Sequence, residues 1–235
     1  MQVRAFIEQL ERLAPPGLAE DFDAGKIGLV VEGRQEINRV CCALDATPHV
    51  VNTAVMASAD MLVVHHTPLW TPLTTMTGHI AGLMRALLSA DINLYVMHTN
   101  FDRAPEGVND ALAELLSLQD VVPMSLGCIG TTTLSLSEIS RRLGGHIRVW
   151  GKVDKISRLA LVAGSGFDPA LLAEAEVLGA DAFLSAEMKH SVARTAPLPC
   201  IEATHYALEA PAMERLAGRM GWQYIEDPPI MNSVP

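Results

Sequence analysis

The stretch that decides the fold class runs from residue 37 to residue 66 and reads INRVCCALDATPHVVNTAVMASADMLVVHH. Its first part, INRVCCALDAT, predicts a strand that ends at the turn residues Asp45 and Pro48. The next part, TPHVVNTAVMASAD, predicts a helix with Thr47 as N-cap and Pro48 at the first helical position. MLVVHH predicts a second strand. Continuously apolar strands joined by a helix are typical of a parallel sheet covered on both faces.

The same alternation of strand and helix recurs along most of the chain. Residues 19–33 are predicted to form a loop, and residues 127–154 interrupt the alternation before ISRLALVAGSG, DPALLAEAEVLG and ADAFLSAEMKH resume it. The resumed strand–helix–strand stretch resembles the first one. We therefore predict an α/β protein with two similar α/β lobes, residues 1–124 and 125–235, whose mostly parallel sheets are flanked by helices.

The end of the chain predicts one more helix and a tail. Pro211 is tolerated only in the first turn of a helix, so the closing helix is predicted to begin near residues 208–210. His205 would then belong to the preceding strand end rather than to the helix. DPPIMNSVP predicts a proline-rich tail.

Composition limits the classes of partner and the compartment. The net charge of −10 argues against nucleic-acid binding, which needs Lys and Arg against phosphates. The four cysteines form no CxxC pair, which indicates buried thiols in a reducing compartment. The sequence has no apolar run of membrane-spanning length and no secretory leader pattern at its start, so we expect a cytoplasmic protein with no membrane partner.

Polar side chains stand directly after nearly every predicted strand. Ligands of open parallel sheets collect at the carboxyl ends of the strands, so these residues are the candidates for a site. Each of them alone is better explained as a capping or surface residue, and only their conjunction indicates chemistry. The residues are Asp45 and Thr47, His65 and His66, His98 and Asp102, Gly164–Gly166, Glu187 and His190, and His205 and Glu209.

Imidazoles together with carboxylates suit a divalent transition metal, with Zn, Mn and Fe all compatible. Three imidazoles and two carboxylates exceed the three protein ligands of a mononuclear catalytic zinc, and they fit better to two ions about 3.5–4 Å apart that activate a water. His65 and His66 would diverge on an extended strand, so sharing a site requires the strand to end there, which Thr67 and Pro68 favour. His49, His79 and His146 have no such companions, and we assign them no site.

Five stretches of the chain resemble one known family. VCCALDATPHVV, ADMLVVHHTPLW, LYVMHTNFDRAPEGVNDALAELL, ADAFLSAEMKH and IEATHYALE are similar, in this order, to the Nif-three-like proteins, also called GTP cyclohydrolase I type 2 homologues. The chain departs from the usual pattern in two places. HHT replaces the commoner HHP, and SAEMKHS lacks a glycine and a second histidine, which leaves His190 without an implied role.

The resemblance implies a site, a fold and an assembly. It implies two lobes facing each other with the metal site in the cleft between them, and a ring-shaped homohexamer. His98 would line the same cavity as the metals. The implied ligands of two metal ions that share carboxylates are His65, His66, Asp102, His205 and Glu209.

Three functional readings follow from these residues. The first is a dinuclear metal-dependent hydrolase of a small nucleotide-like or phosphorylated metabolite, with Glu187 or His98 as the acid/base group. The second is a non-catalytic metal-binding scaffold or regulatory interaction protein, and the third treats the histidines as structural. VAGSG after a strand is neither GxGxxG nor a P-loop, so it does not indicate nucleotide binding.

Overall fold

The computed structural model describes residues 1–231, and these residues form nine α-helices and eleven strands. The strands are β1 (Gly28–Val31), β2 (Val40–Asp45), β3 (Met61–His66), β4 (Asn93–Val96), β5 (Gln119–Pro123), β6 (Cys128–Thr131), β7 (Ile147–Trp150), β8 (Arg158–Leu161), β9 (Ala182–Ser185), β10 (Cys200–Ala203) and β11 (Gln223–Tyr224). The helices are α1 (Val3–Leu13), α2 (Pro48–Met56), α3 (Gly78–Ser89), α4 (Thr99–Arg103), α5 (Val108–Leu115), α6 (Leu136–Arg142), α7 (Pro169–Val177), α8 (His190–Ala193) and α9 (His205–Met220).

The chain divides into two compact units. Unit 1 comprises Met1–Ala104 and the segment from Met213 onward, and unit 2 comprises Pro105–Ala212. These bounds differ from the predicted lobes, 1–124 and 125–235, for reasons visible in the sheets. β5 pairs with β6, which in turn pairs with β8, so residues just before 124 join the second sheet. β11 pairs with β2, so the end of the chain joins the first sheet.

Unit 1 contains a five-stranded sheet in the order β1-β4-β3-β2-β11. β4, β3, β2 and β11 run parallel, as predicted, and only β1 is antiparallel to its neighbour β4. The strand–helix–strand prediction for residues 37–66 is confirmed, including the cap, since the Thr47 hydroxyl accepts a hydrogen bond from the Val50 N–H. The predicted loop at residues 19–33 is partly wrong, because its end forms the edge strand β1.

Unit 2 contains a six-stranded sheet in the order β5-β6-β8-β9-β10-β7. Only β8, β9 and β10 are parallel to one another, while β5, β6 and β7 pair antiparallel. The prediction of a mostly parallel sheet is therefore wrong for this unit, whose sheet is mixed. The unpredicted helix α6 carries a signal that the sequence does contain, a capping box in which Ser135 and Glu138 bond each other's backbone N–H.

The closing helix begins earlier than predicted. α9 starts at His205, with the Thr204 hydroxyl accepting a hydrogen bond from the Ala207 N–H, and Pro211 lies inside the helix. His205 is thus a helical residue and not the end of a strand. Of the predicted proline-rich tail, residues 227–231 form neither helix nor strand, and residues 232–235 lie outside the described part of the chain.

Both units bury continuous apolar strands. All four cysteines, Cys41, Cys42, Cys128 and Cys200, are free and buried, as predicted. Burial raises the pKa of the Cys128 thiol to about 12 and that of Cys200 to about 11. No helix within residues 1–231 is long and apolar enough to cross a membrane.

Candidate metal centre

The first group of predicted site residues lies at the carboxyl end of the parallel strands of unit 1. Asp45 is the last residue of β2, His66 is the last residue of β3, and His98 follows β4 by two residues. These three strands are adjacent and parallel, so their ends meet at one edge of the sheet. The pattern seen in the sequence, an apolar strand followed by polar residues, therefore brings these side chains together.

The unit 1 cluster consists of His65, His66, His98 and Asp102. The imidazole of His65 is fully buried, and its ring centroid lies 4.8 Å from that of His66 and 5.0 Å from that of His98. Its Nε2 lies 3.5 Å from Oδ1 of Asp102. The two vicinal histidines do not diverge, since their ring centroids lie 4.8 Å apart although both residues belong to β3.

A short structured segment delivers His98 and Asp102 to this cluster. His98 is the N-cap of α4, and Asp102 stands in the first turn of that helix. Asn100 fixes the entry to the helix, since its Oδ1 accepts a hydrogen bond from the His98 N–H and its amide donates to the Ala14 carbonyl. Asn100 is buried, so this turn is held in place by packing as well as by hydrogen bonds.

Carboxylates orient two of the three imidazoles in unit 1. Nδ1 of His66 lies 2.7 Å from Oδ1 of Asp45, and Nδ1 of His98 lies 2.9 Å from both carboxylate oxygens of Asp23. An ionised carboxylate only accepts, so each ring donates from Nδ1, and the neutral tautomer that does so keeps the lone pair of Nε2. This is the arrangement that second-sphere carboxylates impose on metal-binding histidines.

Asp23 contacts His98 in the candidate site, and the sequence analysis missed it. It is fully buried and also accepts hydrogen bonds from the backbone N–H and the hydroxyl of Thr99. It belongs to the segment predicted as a loop, where EDFDAG looks like an ordinary acidic turn. The sequence contains one indirect signal for it: HTNFD supplies a histidine ring and a threonine hydroxyl, and both need a hydrogen-bond acceptor from elsewhere in the chain.

The unit 2 cluster consists of Glu187, His205 and Glu209. They follow β9 and β10, which are adjacent and parallel. Nε2 of His205 lies 2.9 Å from Oε2 of Glu209, one helical turn away, and Nδ1 lies 2.8 Å from Oε1 of Glu187. The imidazole is thus held between two carboxylates, a buried one from its own helix and a largely exposed one from the end of β9.

The glycine-rich turn after β8 makes room for Glu209. Gly164 has φ +68°, and a Cβ added to it would lie 2.1 Å from Oε1 of Glu209 and 3.3 Å from Nε2 of His205. Its carbonyl accepts hydrogen bonds from the Ser185 hydroxyl and the Ala186 N–H, which fixes the turn. The VAGSG turn therefore packs against the unit 2 cluster.

Glu187 has an unusual backbone. Its φ is +62°, in the left-handed region that residues with a side chain rarely adopt. Such conformations cost about 1–3 kcal/mol and concentrate at functional sites. The carboxylate of Glu187 contacts His205 from this conformation. The strained backbone therefore supports Glu187 as a candidate site residue.

The donor atoms of unit 1 fit a divalent transition metal. Ligand atoms of His65, His66 and His98 lie within 4.8 Å of one another. Tetrahedral ligands at about 2.0–2.1 Å from an ion are about 3.3 Å apart, close to the 3.5 Å between Nε2 of His65 and Oδ1 of Asp102. Nitrogen and carboxylate donors at these distances suit Zn, Mn or Fe with small ring movements.

The structure thus brings the predicted residues of each unit together. Within unit 1 it groups His98 with the implied ligands, so His98 can serve as a ligand as well as an acid/base group. The assignment of individual roles stays a prediction. His49, His79 and His146, to which the sequence analysis assigned no site, are exposed, and so is His190, the candidate without an implied role.

Comparison with known proteins identifies the family. The profile of the Duf34/NIF3 (NGG1p interacting factor 3) family matches residues 1–227. A GTP cyclohydrolase 1 type 2 homolog of Streptomyces coelicolor is 34% identical over 251 residues, covering 92% of this chain and 87% of the relative. A protein of the same name from Methanocaldococcus jannaschii is 33% identical and covers 89% of this chain and 90% of the relative.

Solved structures agree with this assignment. Reduced HcgD from Methanocaldococcus jannaschii has a TM-score of 0.82 at 30% identity, covering 95% of this chain and 96% of that one. Protein ybgI, of unknown function, has a TM-score of 0.87 at 25% identity, covering 97% of this chain and 99% of that one. The chain therefore belongs to the DUF34/NIF3 family.

Proposed function

We propose that this protein is a metal-dependent hydrolase of a small nucleotide-like or phosphorylated metabolite. The observation that carries the proposal is the pairing of three imidazoles with carboxylates through Nδ1: His66 with Asp45, His98 with Asp23, and His205 with Glu187. Purely structural surface histidines have no need of such repeated orientation, whereas metal-binding histidines almost always show it.

The proposed metal content is two divalent ions, Zn, Mn or Fe. The proposed ligands are those that the family resemblance implies. When bound, such ions lower the pKa of a coordinated water and polarise the bond to be hydrolysed. The ligands are His65, His66, Asp102, His205 and Glu209.

The remaining residues of the clusters orient groups and move protons. Asp23 and Asp45 hold the rings of His98 and His66 with Nε2 available. Glu187 is the proposed acid/base group, because its side chain is 59% exposed and can exchange protons with solvent while touching His205. His98 is the second proposed acid/base group, and its ligand role is the alternative assignment.

The substrate class follows from the names of the relatives and stays a proposal. Several relatives are named as homologs of GTP cyclohydrolase 1 type 2, which favours a nucleotide-like substrate for a hydrolytic reaction. We also propose, from the resemblance, a ring-shaped homohexamer, which light scattering of the purified protein would test. The four buried, free cysteines favour the cytoplasm as its compartment.

The test combines metal analysis with activity. Protein purified without a histidine tag is analysed for Zn, Mn and Fe, stripped with a chelator, reloaded with each metal and screened against phosphorylated and heterocyclic metabolites. Asp102→Ala should lose metal and activity, whereas Asp21→Ala, at an exposed position of the same unit, should keep both. Full metal content and full activity in Asp102→Ala would defeat the proposal. Metal retention without hydrolysis of any substrate would favour the scaffold instead.

A further inference from the structure

Two aromatic side chains lie next to His98 in unit 1, and one lysine lies next to both of them. The proposed ligands and acid/base groups do not include these three residues. The ring of Trp70 lies 5.0 Å from the imidazole of His98, and the ring of Phe22 lies 6.2 Å from it, both edge-on. Nζ of Lys26 lies 5.6 Å from the centroid of Trp70 and 6.0 Å from that of Phe22. We call Phe22, Lys26 and Trp70 the aromatic rim.

The two aromatic side chains of the rim are exposed although they are apolar. Phe22 is 56% exposed and Trp70 is 43% exposed. The chain contains only five Phe and three Trp, so two such rings on one surface beside the site are a large share of its aromatic surface. Contiguous exposed apolar surface of this kind commonly marks a binding site.

Lys26 adds a positive charge at this place in an otherwise acidic chain. The chain carries a formal charge of −10 and has only 17 Lys and Arg residues. An ammonium within about 6 Å of a ring is attracted by its π-system, and Lys26 satisfies this distance for both rings. The two rings therefore fix a cation next to the imidazole cluster, where it can meet an anionic group.

We propose that the aromatic rim is the ligand subsite for a planar heteroaromatic ring bearing a phosphate. Trp70 and Phe22 supply the ring-stacking surface, and Lys26 supplies the charge for the phosphate. The ligand's reactive end then lies toward His98 and its neighbours in unit 1. This inference rests on the proposed function for the identity of that ligand as the substrate, but its binding test does not require hydrolysis.

The geometry favours a small ligand over a protein partner. Both rings of the rim lie edge-on to the imidazole of His98, whose Nδ1 contacts Asp23, so an occupant of the rim would lie next to a ring that is already held in place. Stacking on aromatic side chains tolerates any base, and loss of one such contact weakens binding between about 5-fold and 150-fold. Loss of one partly exposed cationic contact weakens it by up to about fivefold.

The experiment measures binding of three probes to the full chain by equilibrium dialysis. The probes are guanosine 5′-monophosphate, guanosine without phosphate, and ribose 5-phosphate without base. Each is tested with metal-stripped and zinc-reloaded protein, and probe integrity is checked by chromatography. Trp70→Leu should weaken the two probes that contain a base by at least fivefold and ribose 5-phosphate by no more than about twofold, because Phe22 still lies next to Lys26. Lys26→Met should weaken the two phosphorylated probes two- to fivefold and leave guanosine unchanged.

Two matched controls separate the subsite from general effects. Lys152→Met removes an exposed lysine in unit 2, and Leu73→Ala removes an exposed apolar side chain in the same loop as Trp70. Neither should change binding of any probe. Phe22→Leu provides a second aromatic variant if Trp70→Leu lowers the melting temperature.

The outcomes also separate this inference from the proposed function. If wild-type protein binds none of the probes, or if the rim variants bind them as well as the controls do, the subsite is refuted whatever the metal content. If the rim variants lose binding as predicted but no preparation holds metal or hydrolyses a substrate, the subsite stands and the hydrolase fails. A change of sedimentation coefficient in the rim variants with probe binding intact would identify the rim as a contact between copies and overturn the subsite.

Discussion

Replacing Gly164 by alanine should disable the unit 2 cluster without substituting any of its residues. The added Cβ would stand 2.1 Å from Oε1 of Glu209 and 3.3 Å from Nε2 of His205, so one carboxylate oxygen must move. Glu209 is buried and its other oxygen lies 2.9 Å from His205, which leaves it little room to retreat without breaking that contact. We therefore expect Gly164→Ala to displace the carboxylate from the imidazole.

The magnitude can be separated from backbone strain by a second glycine of the same unit. Gly164 has φ +68° and Gly179 has φ +77°, so alanine at either position pays about 1–2 kcal/mol for a left-handed backbone. A Cβ at Gly179 meets nothing within 4 Å, so Gly179→Ala should lower the unfolding free energy through backbone strain only. Misplacing a group that holds a metal site costs about 10- to 100-fold in metal affinity, or about 1.4–2.7 kcal/mol.

The assay is metal affinity by chelator competition, together with urea unfolding of the metal-stripped protein. Both variants should lose about 1–2 kcal/mol of unfolding free energy without metal through backbone strain. Gly164→Ala should lose more than Gly179→Ala because its Cβ overlaps Glu209, and only Gly164→Ala should also lose metal affinity. Glu209→Asp, which shortens the side chain by one methylene, should make the Gly164→Ala effect less than additive. Equal metal affinity in Gly164→Ala and Gly179→Ala would refute the reasoning, because the steric contact would then have no bearing on metal binding.

Three further predictions test other parts of the molecule. Asp45→Asn should lower metal affinity about 10- to 100-fold by loosening the proposed ligand His66, while Asp21→Asn should not, and equal affinities in competition titrations would contradict this. Burial acts to raise the pKa of Asp60, but the N–H groups of Arg39 and Asn38 and the guanidinium of Arg34 outweigh it and hold that pKa below its usual range. Because the folded-state pKa is lowered, Asp60→Asn should cost about 1–3 kcal/mol at pH 7, and urea unfolding should show this difference vanishing as the pH falls through about 4 and below. Since burial raises the pKa of the thiols, native protein at pH 8 should leave its four cysteines unalkylated by iodoacetamide over an hour, whereas denatured protein should react at all four by mass spectrometry.

The parallel half of each sheet could be predicted from the sequence, and the antiparallel strands could not. β2, β3 and β4 could be predicted because these strands of four to six residues are mostly apolar. The helix starts at Pro48 and Pro169 could be predicted from the N-cap residues that precede them. β1 has only three apolar residues after a glycine and lies within a stretch rich in Gly and Asp, and β5 is exposed throughout, so neither has the longer apolar run of the central parallel strands. β11 has two residues and exists only because it pairs with β2, a contact that no local pattern encodes.

The site shows the same division between local and distant information. The residues that follow strands, such as His66 and His98, could be found because a parallel sheet collects its strand ends at one edge. Asp23 could not, because a hydrogen bond joins it to His98 across 75 positions of sequence. Its orienting role comes from the tertiary structure and leaves no spacing rule in the chain.

Helix α9 shows why a correct local rule gave a wrong boundary. Pro211 removes a backbone donor whose partner would be the carbonyl of Ala207, and a proline inside a helix costs about 3 kcal/mol. The helix nevertheless begins at His205, capped by the Thr204 hydroxyl, which returns only about 1 kcal/mol. The early start places His205 and Glu209 one turn apart on the same face, 2.9 Å from each other, and a start at residues 208–210 would break this geometry. Proteins violate local preferences mainly at functional sites. The unexpectedly early start of α9 is therefore consistent with a role for the His205–Glu209 pair in the site.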